Sequence, residues 1–334
     1  MKISSLANYA VGVTVAAALL AGCSTGGSSG LNPSMSTQSK AIPGHALSYN
    51  GRLIASAVMP QVRPIQIPVS PDKKKKGPIQ YISNFYASDI LSFDYPKGTS
   101  STGTITAATD PQGECTKNGK KTWWAVSSGS DQVMEFKAGG TSPISTLSVT
   151  AGEPAGCSVS GKGDLAVSVL GTGDVVIFAG GKGSGTTVSD GLSNTYFLGY
   201  DKAGDLFVDG FNGSFPGMSE MKAGGSSFSI VTLPNSISFP GGVQWDGKFI
   251  TLNDQSAASI YQYTVSNGAA TLEGTVSLNG VSDCVQTWIA GKIVICPDAG
   301  NNNTTIFKYP AGGSAIATLS GSFDLPIGAV QVKK

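Results

Sequence analysis

One segment pattern recurs along this chain: a short apolar stretch of strand-forming residues that ends in a turn. It occurs six times, as ILSFDYPKG from Ile90, VMEFKAGG from Val133, VVIFAGGKG from Val175, MSEMKAGG from Met218, IYQYTVSNG from Ile260 and IFKYPAGG from Ile306. The fourth residues of these segments are spaced by 43, 42, 43, 42 and 46 positions, being Phe93, Phe136, Phe178, Met221, Tyr263 and Tyr309. A period of about 42 residues that holds several short strands predicts one four-stranded propeller blade per repeat.

The repeat that starts near Gly113 shows how one blade is built. It divides into a first strand that begins at Cys115 and three further strands, TWWAV, QVMEF and PISTLSV, with turn residues between them. Side chains three apart in a strand, such as Val133 and Phe136, point to opposite faces of the sheet. Both faces are apolar, so each sheet needs a neighbour on either side, as in a ring of blades.

The two ends of the repeat region indicate how the ring closes. No first strand precedes YISNFYASDILSFDY, whereas DLPIGAVQV, from Asp324 to Val332, has the pattern of a first strand with no partner after it. The C-terminal strand is therefore expected to complete the first blade. The predicted fold is all-β, a six-bladed β-propeller closed by its C-terminal strand over residues 78–334. In period and strand pattern it resembles the NHL-type and related six-bladed propellers of secreted bacterial proteins.

The N-terminus has the pattern of an export signal. The apolar run from Ala10 to Ala21 is too short to span a membrane. It ends in Leu-Ala-Gly-Cys at Cys23, which resembles the lipobox of bacterial lipoproteins and implies lipid attachment at Cys23. The alternative is an ordinary leader that ends near a cysteine. We predict a lipoprotein signal peptide over 1–22, a lipidated flexible tether over 23–77, and anchoring in the bacterial cell envelope. Ser24 favours the outer membrane or cell surface.

Four further cysteines lie in the predicted propeller. Cys284 and Cys296 flank VQTWIAGKIVI, whose central turn places them nearly opposite each other on paired strands. Cys115 and Cys157 lie one repeat apart, so they occupy equivalent positions in adjacent blades. We predict the disulfides 115–157 and 284–296. A zinc site is the alternative, but the chain lacks a CxxC motif.

Composition restricts the chemistry. The only histidine, His45, falls in the tether, which argues against catalytic mechanisms that need histidine inside the domain, including a streptogramin-lyase-like one. Without Lys2 of the leader, 22 − 1 = 21 basic residues face 21 acidic ones. We therefore expect no nucleic-acid partner.

One face of the predicted propeller is rich in oxygen ligands. In such rings the loops that lead into first strands and those between second and third strands lie at the same face. Propellers resembling gluconolactonases and paraoxonases hold a divalent ion there, and Ca²⁺ takes oxygen ligands. The candidate ligands are Asn84, Glu153, Asp209, Asn253, Asp283 and Asp298. The alternative is that these residues form turns.

Two functions follow from this sequence. The first is a binding or scaffold module for a protein, glycan or small ligand, anchored to the membrane through Cys23 and needing no cofactor. The second is a lactonase-like hydrolase dependent on a divalent metal. The sequence favours binding, because it contains no acid/base pair at a defined spacing.

Overall fold

The computed structural model of the chain describes residues 48–49, 52–53, 77–117 and 119–334. The predicted signal peptide and Cys23 lie outside these residues, as does most of the predicted tether. From residue 77 onward the chain forms six antiparallel sheets, each with four main strands. A separate pair of two-residue strands, Ser48–Tyr49 and Arg52–Leu53, precedes them.

We number the sheets as blades 1 to 6 in chain order, with strands given from first to fourth within each sheet. Blade 1 contains Pro326–Val332, Ile79–Asn84, Asp89–Asp94 and Gly103–Ile105. Blade 2 contains Pro111–Cys115, Thr122–Ser127, Gln132–Lys137 and Ser145–Ser148. Blade 3 contains Pro154–Val159, Leu165–Val169, Asp174–Phe178 and Thr186–Ser189. Blade 4 contains Asn194–Tyr200, Leu206–Asn212, Phe215–Met221 and Ser229–Val231.

Blade 5 contains Pro240–Trp245, Ile250–Asp254, Ser259–Ser266 and Ala269–Asn279. Blade 6 contains Trp288–Ala290, Ile293–Asp298, Asn303–Lys308 and Ala317–Leu319. The short strand Gly313–Ser314 pairs in parallel with the fourth strand of blade 5. Short 3₁₀ turns follow strands at Ser128–Ser130, Ala179–Gly181 and Ala299–Asn301. The predicted all-β six-bladed propeller is thus confirmed.

The C-terminal strand closes the ring as predicted. Val330 pairs with Tyr81 and Val332 with Ile79, so Pro326–Val332 forms the first strand of the blade whose other strands come from the start of the domain. The backbone amides of Phe85 and Tyr86 donate to carbonyls of Leu325 and Asp324, extending this contact beyond the strand. Blade 1 therefore holds the two ends of the propeller chain together.

The repeat alignment is correct in five blades and shifted in the sixth. Phe136 lies opposite Trp123 in blade 2, and the residue at the equivalent place in blade 6 is Phe307, opposite Val294. Tyr309, which the spacing selected, follows the third strand instead. Phe93-Asp-Tyr-Pro and Phe307-Lys-Tyr-Pro share a Phe-x-Tyr-Pro pattern, and this was the sequence signal for the correct alignment.

Apolar packing between blades forms the core, as expected for sheets buried on both faces. Between blades 1 and 2 the ring of Trp123 stacks on Tyr81 with centroids 4.2 Å apart and on Phe136 at 5.0 Å. Val330 and Val332 of the closing strand join the same buried cluster. Equivalent clusters fill the spaces between the other blades.

The first strand of blade 2 begins earlier than the sequence predicted, and the first strands carry a bulge. Cys115 ends the first strand of blade 2 rather than beginning it, because that strand starts at Pro111. Four first strands open with Pro-x-Gly, and their register shifts after the proline. The glycine is required for space: a Cβ on Gly328 would lie 2.2 Å from the carbonyl oxygen of Gln112 in the next blade. The innermost strands thus touch one another closely around the axis.

Polar side chains of the second strands join these bulged first strands between blades. Ser168 accepts the amide of Gly156 in its own blade at 2.7 Å and donates to the carbonyl of Tyr196 in the next at 2.6 Å. Ser83 does the same for Gly328 and Gln112. A bulge leaves backbone groups without strand partners, and such groups are costly to bury unpaired. The hydroxyl groups of Ser83 and Ser168 form hydrogen bonds with these backbone groups.

Candidate functional site

The propeller has two faces of different chemistry. We call upper face the one formed by the loops that enter first strands and those between second and third strands. These loops span 85–88, 106–110, 128–131, 149–153, 170–173, 190–193, 213–214, 232–239, 255–258, 280–287, 299–302 and 320–325, and none contains lysine or arginine. Their exposed or half-buried acids, with those at the adjoining strand ends, are Asp89, Asp110, Asp131, Glu153, Asp174, Asp283 and Asp324. This face is therefore acidic.

Three of the candidate metal ligands, Asn84, Asp283 and Asp298, hold turns of this face together. Asn84 donates to the Asp89 carboxylate at 3.0 Å and to the Ser322 carbonyl at 2.9 Å, which ties blade 1 to the closing segment. Asp298 accepts the backbone amide of Asp283 at 2.9 Å and the side-chain amide of Asn301 at 2.7 Å. These contacts are those of turn-forming residues.

Asp209 and Asn253 lie deeper, at the second-strand position that Ser83 and Ser168 occupy in their blades. Asp209 accepts the Phe197 amide at 2.8 Å, and Asn253 donates to the Val285 carbonyl of the next blade at 3.2 Å. Burial raises the pKa of the Asp209 carboxyl well above its usual range, and the backbone amides of Phe197 and Gly241 offset part of that effect. Both residues belong to the joints between blades.

The sixth candidate, Glu153, lies at the entrance to blade 3, where Gln112 donates to its carboxylate at 3.4 Å. The six candidates are therefore distributed over separate turns and joints. Within residues 77–117 and 119–334, no three His, Cys, Asp or Glu side chains are grouped closely enough to hold a metal ion. The proposal of an axial Ca²⁺ draws no support from their placement.

The axis itself is filled with apolar side chains at the upper face. Tyr196 and Phe197 from the first strand of blade 4 share one buried cluster with Ile327 from the first strand of blade 1, on the opposite side of the ring. The rings of Tyr196, Phe211 and Phe239 meet edge to face at 5.5 to 5.7 Å. A cluster that joins opposite blades closes the channel at this level.

Half-buried apolar side chains cover this cluster on its solvent side. Phe85, Leu170, Phe239 and Leu325 pack on the cluster and come from four different loops. We call these four residues the axial mouth. The centre of the acidic face is thus an apolar patch.

A fully projecting aromatic residue lies on the same face. The second and third strands of blade 4 each run for seven residues and are joined by a two-residue turn, Gly213-Ser214. Phe215 follows this turn and is 77% exposed. The hairpin also carries Phe211, whose ring belongs to the axial cluster. An aromatic side chain this exposed is the type of residue that anchors protein interfaces.

Gln286 and Glu114 form a polar joint deeper at the axis that the sequence did not reveal. The side chain of Gln286 accepts the Glu114 backbone amide at 2.8 Å and donates to the Glu114 carbonyl at 3.0 Å, joining blades 6 and 2. The Glu114 carboxyl is fully buried, and among the described residues neither of its oxygens has a hydrogen-bonding partner. Burial raises the pKa of this carboxyl well above its usual range.

This buried carboxyl predicts a pH-dependent stability. The folded state holds the Glu114 proton to higher pH than the unfolded state does, so the free energy of unfolding falls as pH rises above the ordinary glutamate pKa of 4.5. Glu114→Gln removes this contribution, which amounts to about 1.4 kcal/mol per pH unit over the affected range. We expect the variant to match the parent near pH 4 and to be more stable at pH 8. Urea unfolding across this range measures it.

The control for this prediction is Glu273→Gln, at an exposed position in the fourth strand of blade 5. This side chain is exposed in the folded protein, where its carboxylate accepts a hydrogen bond from the Thr264 hydroxyl at 2.8 Å. The variant should keep the parent's pH profile. A Glu114→Gln protein whose stability changes with pH as the parent's does would contradict the assignment.

The lower face, opposite the mouth, carries the lysines. They are Lys97, Lys117, Lys120, Lys121, Lys137, Lys162, Lys182, Lys202, Lys222, Lys248, Lys292, Lys308, Lys333 and Lys334. All but Lys117 are exposed. Lys222 pairs with Asp205 at 3.0 Å and with Glu220 at 2.6 Å, beside a pocket of about 200 Å³ between blades 4 and 5. That pocket's acids are thus already engaged.

Both predicted disulfides are confirmed. Cys115 of blade 2 is bonded to Cys157 of blade 3, with Cα atoms 5.6 Å apart, and Cys284 is bonded to Cys296 within blade 6. In blade 2 the second-strand position that joins the blades is the apolar Val126. The 115–157 bond links the first strands of blades 2 and 3 there, together with the hydrogen bond that the Ser128 hydroxyl donates to the Pro154 carbonyl. No helix in the described ranges is long and apolar enough to cross a membrane.

No family model matches the sequence, and no curated protein matches it. Solved structures share its fold. A chain of a nidogen/laminin complex has a TM-score of 0.62 at 14% identity, over 77% of this chain and 98% of that one. A Bacteroides caccae protein of unknown function has 0.57 at 12%, over 78% and 100%. Streptogramin B lyase has 0.51 at 14%, over 75% and 76%. At such identities the likeness shows the fold alone.

Proposed function

We propose that this protein is an envelope lipoprotein, anchored through lipid on Cys23, whose propeller is a binding or scaffold module with the upper face as its binding surface. The support for the anchor is the Leu-Ala-Gly-Cys sequence that ends the apolar leader. The support for the surface is structural. The propeller fold is consistent with a binding module, and the upper face combines an apolar centre with an acidic periphery.

The observation that carries this proposal is Phe215. Phe215 is 77% exposed, so its side chain contributes little to the core. A single exposed apolar residue is common, but several apolar side chains on one face mark an interaction site. Phe215 lies on the face that also holds the axial mouth. A protruding aromatic favours a protein partner, because small-molecule ligands are held in concave sites.

The chemistry of this surface specifies the partner. The upper-face loops contain acidic residues and no basic ones, so a complementary partner carries lysine or arginine around an apolar anchor. We therefore propose a basic, apolar segment of another protein as the bound element, rather than the glycan or small ligand that the sequence left open.

The test uses synthetic peptides with a Leu-Phe centre flanked by lysines, compared with the same centre flanked by glutamates. We expect saturable binding of the basic peptide only, measured by fluorescence anisotropy. Phe215→Ser should weaken it at least tenfold, since interface aromatic anchors contribute about 2 kcal/mol or more. Because Phe215 is exposed, the thermal midpoint should stay near that of the parent.

The matched control is Ile144→Ser, which removes a 49% exposed apolar side chain from the opposite face. It should leave peptide binding unchanged. Equal binding of the acidic peptide, or full binding by Phe215→Ser, would contradict the proposed surface. In bacterial cells that express the full-length chain, Cys23→Ser should move the protein from the membrane fraction to the soluble fraction. Retention in the membrane would contradict the anchor.

A further inference from the structure

The positively and negatively charged side chains of the propeller are distributed unequally between its two faces. The net charge of the sequence does not show this. Every lysine from Lys97 to Lys334 lies in a loop or strand end of the lower face, and no arginine occurs after Arg63. The acids at the same end of the strands are Asp94, Glu135, Asp164, Asp201, Asp205, Glu220, Asp246 and Glu273. The lower face therefore carries 14 − 8 = 6 excess positive charges, while the upper-face loops contain no lysine or arginine.

The lysines are distributed over all six blades. Lys97 belongs to blade 1, Lys121 to blade 2, Lys162 to blade 3, Lys202 to blade 4, Lys248 to blade 5 and Lys292 to blade 6. A discrete phosphate site would gather several donors at one point, and arginine suits such a site best. Flexible lysines spread across a whole face instead match an extended anionic surface.

The chain also enters the propeller on this face. Ile79, the first strand residue of the domain, pairs with Val332, next to the terminal Lys333 and Lys334. The sequence that immediately precedes the domain contains four more lysines, Lys73 to Lys76. The chain therefore enters the propeller among the lysines, at the face opposite the axial mouth.

We propose that the lower face docks electrostatically on the anionic headgroups of the membrane that carries the lipid anchor, which leaves the axial mouth directed away from the membrane. The choice of a membrane as the occupant rests on the proposed anchoring at Cys23. The lysine face itself does not depend on it. Each lysine that approaches an anionic bilayer strengthens binding by about fivefold, and salt screens the attraction.

The test measures flotation of the full-length chain carrying Cys23→Ser with lipid vesicles. Because this variant carries no lipid, its binding to vesicles tests the docking of the lower face separately from the anchor. We expect binding to vesicles containing phosphatidylglycerol, little binding to pure phosphatidylcholine, and loss of binding at high salt. Replacement of Lys120, Lys121 and Lys162 by glutamine should weaken binding roughly a hundredfold, at about fivefold for each lysine.

Two control variants assign the effect to the face. Asp131→Asn with Asp174→Asn raises the net charge by two on the upper face and should leave vesicle binding unchanged. After replacement of Lys73 to Lys76 by glutamine, part of the vesicle binding should remain, and high salt should abolish it. Binding that follows the net charge, that requires only Lys73 to Lys76, or that is equal on neutral vesicles would overturn the proposal. So would tighter binding to duplex DNA than to anionic vesicles at equal salt.

Discussion

A chain that ends at Leu325 is expected not to form the propeller. The deletion removes Pro326–Val332, the first strand of blade 1, and with it the buried side chains of Ile327, Val330 and Val332. Burial of each such side chain contributes about 1.5–3 kcal/mol. The sum approaches the whole net stability of a typical domain, about 5–15 kcal/mol, before the lost strand hydrogen bonds are counted.

Circular dichroism and thermal unfolding should show loss of the cooperative transition in this truncated protein. A chain lacking only Lys333 and Lys334, which are exposed, should unfold as the parent does. A synthetic peptide covering residues 324–334 should restore the transition in a concentration-dependent way. A truncated chain that unfolds at the parent's temperature would refute the role of the closing strand.

Removal of the Cys115–Cys157 disulfide should destabilise the propeller more than removal of the Cys284–Cys296 disulfide does. The 115–157 bond closes a loop of 42 residues across two blades, for which chain entropy predicts about 4 kcal/mol of stabilisation. Replacement of both cysteines by alanine should lower the free energy of unfolding by about this amount. Urea unfolding under oxidising conditions measures it.

The second disulfide supplies the comparison. Cys284 and Cys296 are 12 residues apart within one blade, so the same entropy argument predicts about 3 kcal/mol for their double alanine variant. Reduction of the parent protein separates the bond from the packing of the sulfur atoms. A 115–157 variant as stable as the parent, or less affected than the 284–296 variant, would show that the link between blades 2 and 3 does not depend on the bond.

The architecture could be predicted from the sequence because each blade repeats the same packing requirement. Phe93, Phe136, Phe178 and Tyr263 recur at nearly equal intervals, since every third strand needs a large apolar side chain toward its neighbour. The closing strand follows from counting the strands in each repeat. The disulfides follow from the positions of the cysteines on those strands. The shift at Tyr309 arose because a tyrosine and a phenylalanine two residues apart fit the same pattern. The Phe-x-Tyr-Pro match to blade 1 was the sequence signal that separates them, and strand pairing identifies Phe307 as the equivalent residue.

The sequence predicted less of the candidate site. The sequence placed Asp209 and Asn253 on the polar face, but it could not show that their side chains turn inward to satisfy bulged first strands. It also gave no sign that aromatic residues from opposite blades would meet and fill the axis. Pro-x-Gly at the start of four first strands was the available signal for the close approach of the innermost strands.

The sequence alone determined the number of blades, their order, the closing strand and the cysteine pairs, because these depend on the period of the repeat and on the position of each strand within it. The closing strand follows in this way although Val332 pairs with the distant Ile79. Tertiary structure alone decided which side chains each face exposes and which it buries. The 22 basic and 21 acidic side chains of the sequence nearly cancel. Since antiparallel strands send alternate loops to opposite ends of every blade, folding separates the lysines from the acidic loops and places Phe215 among the latter.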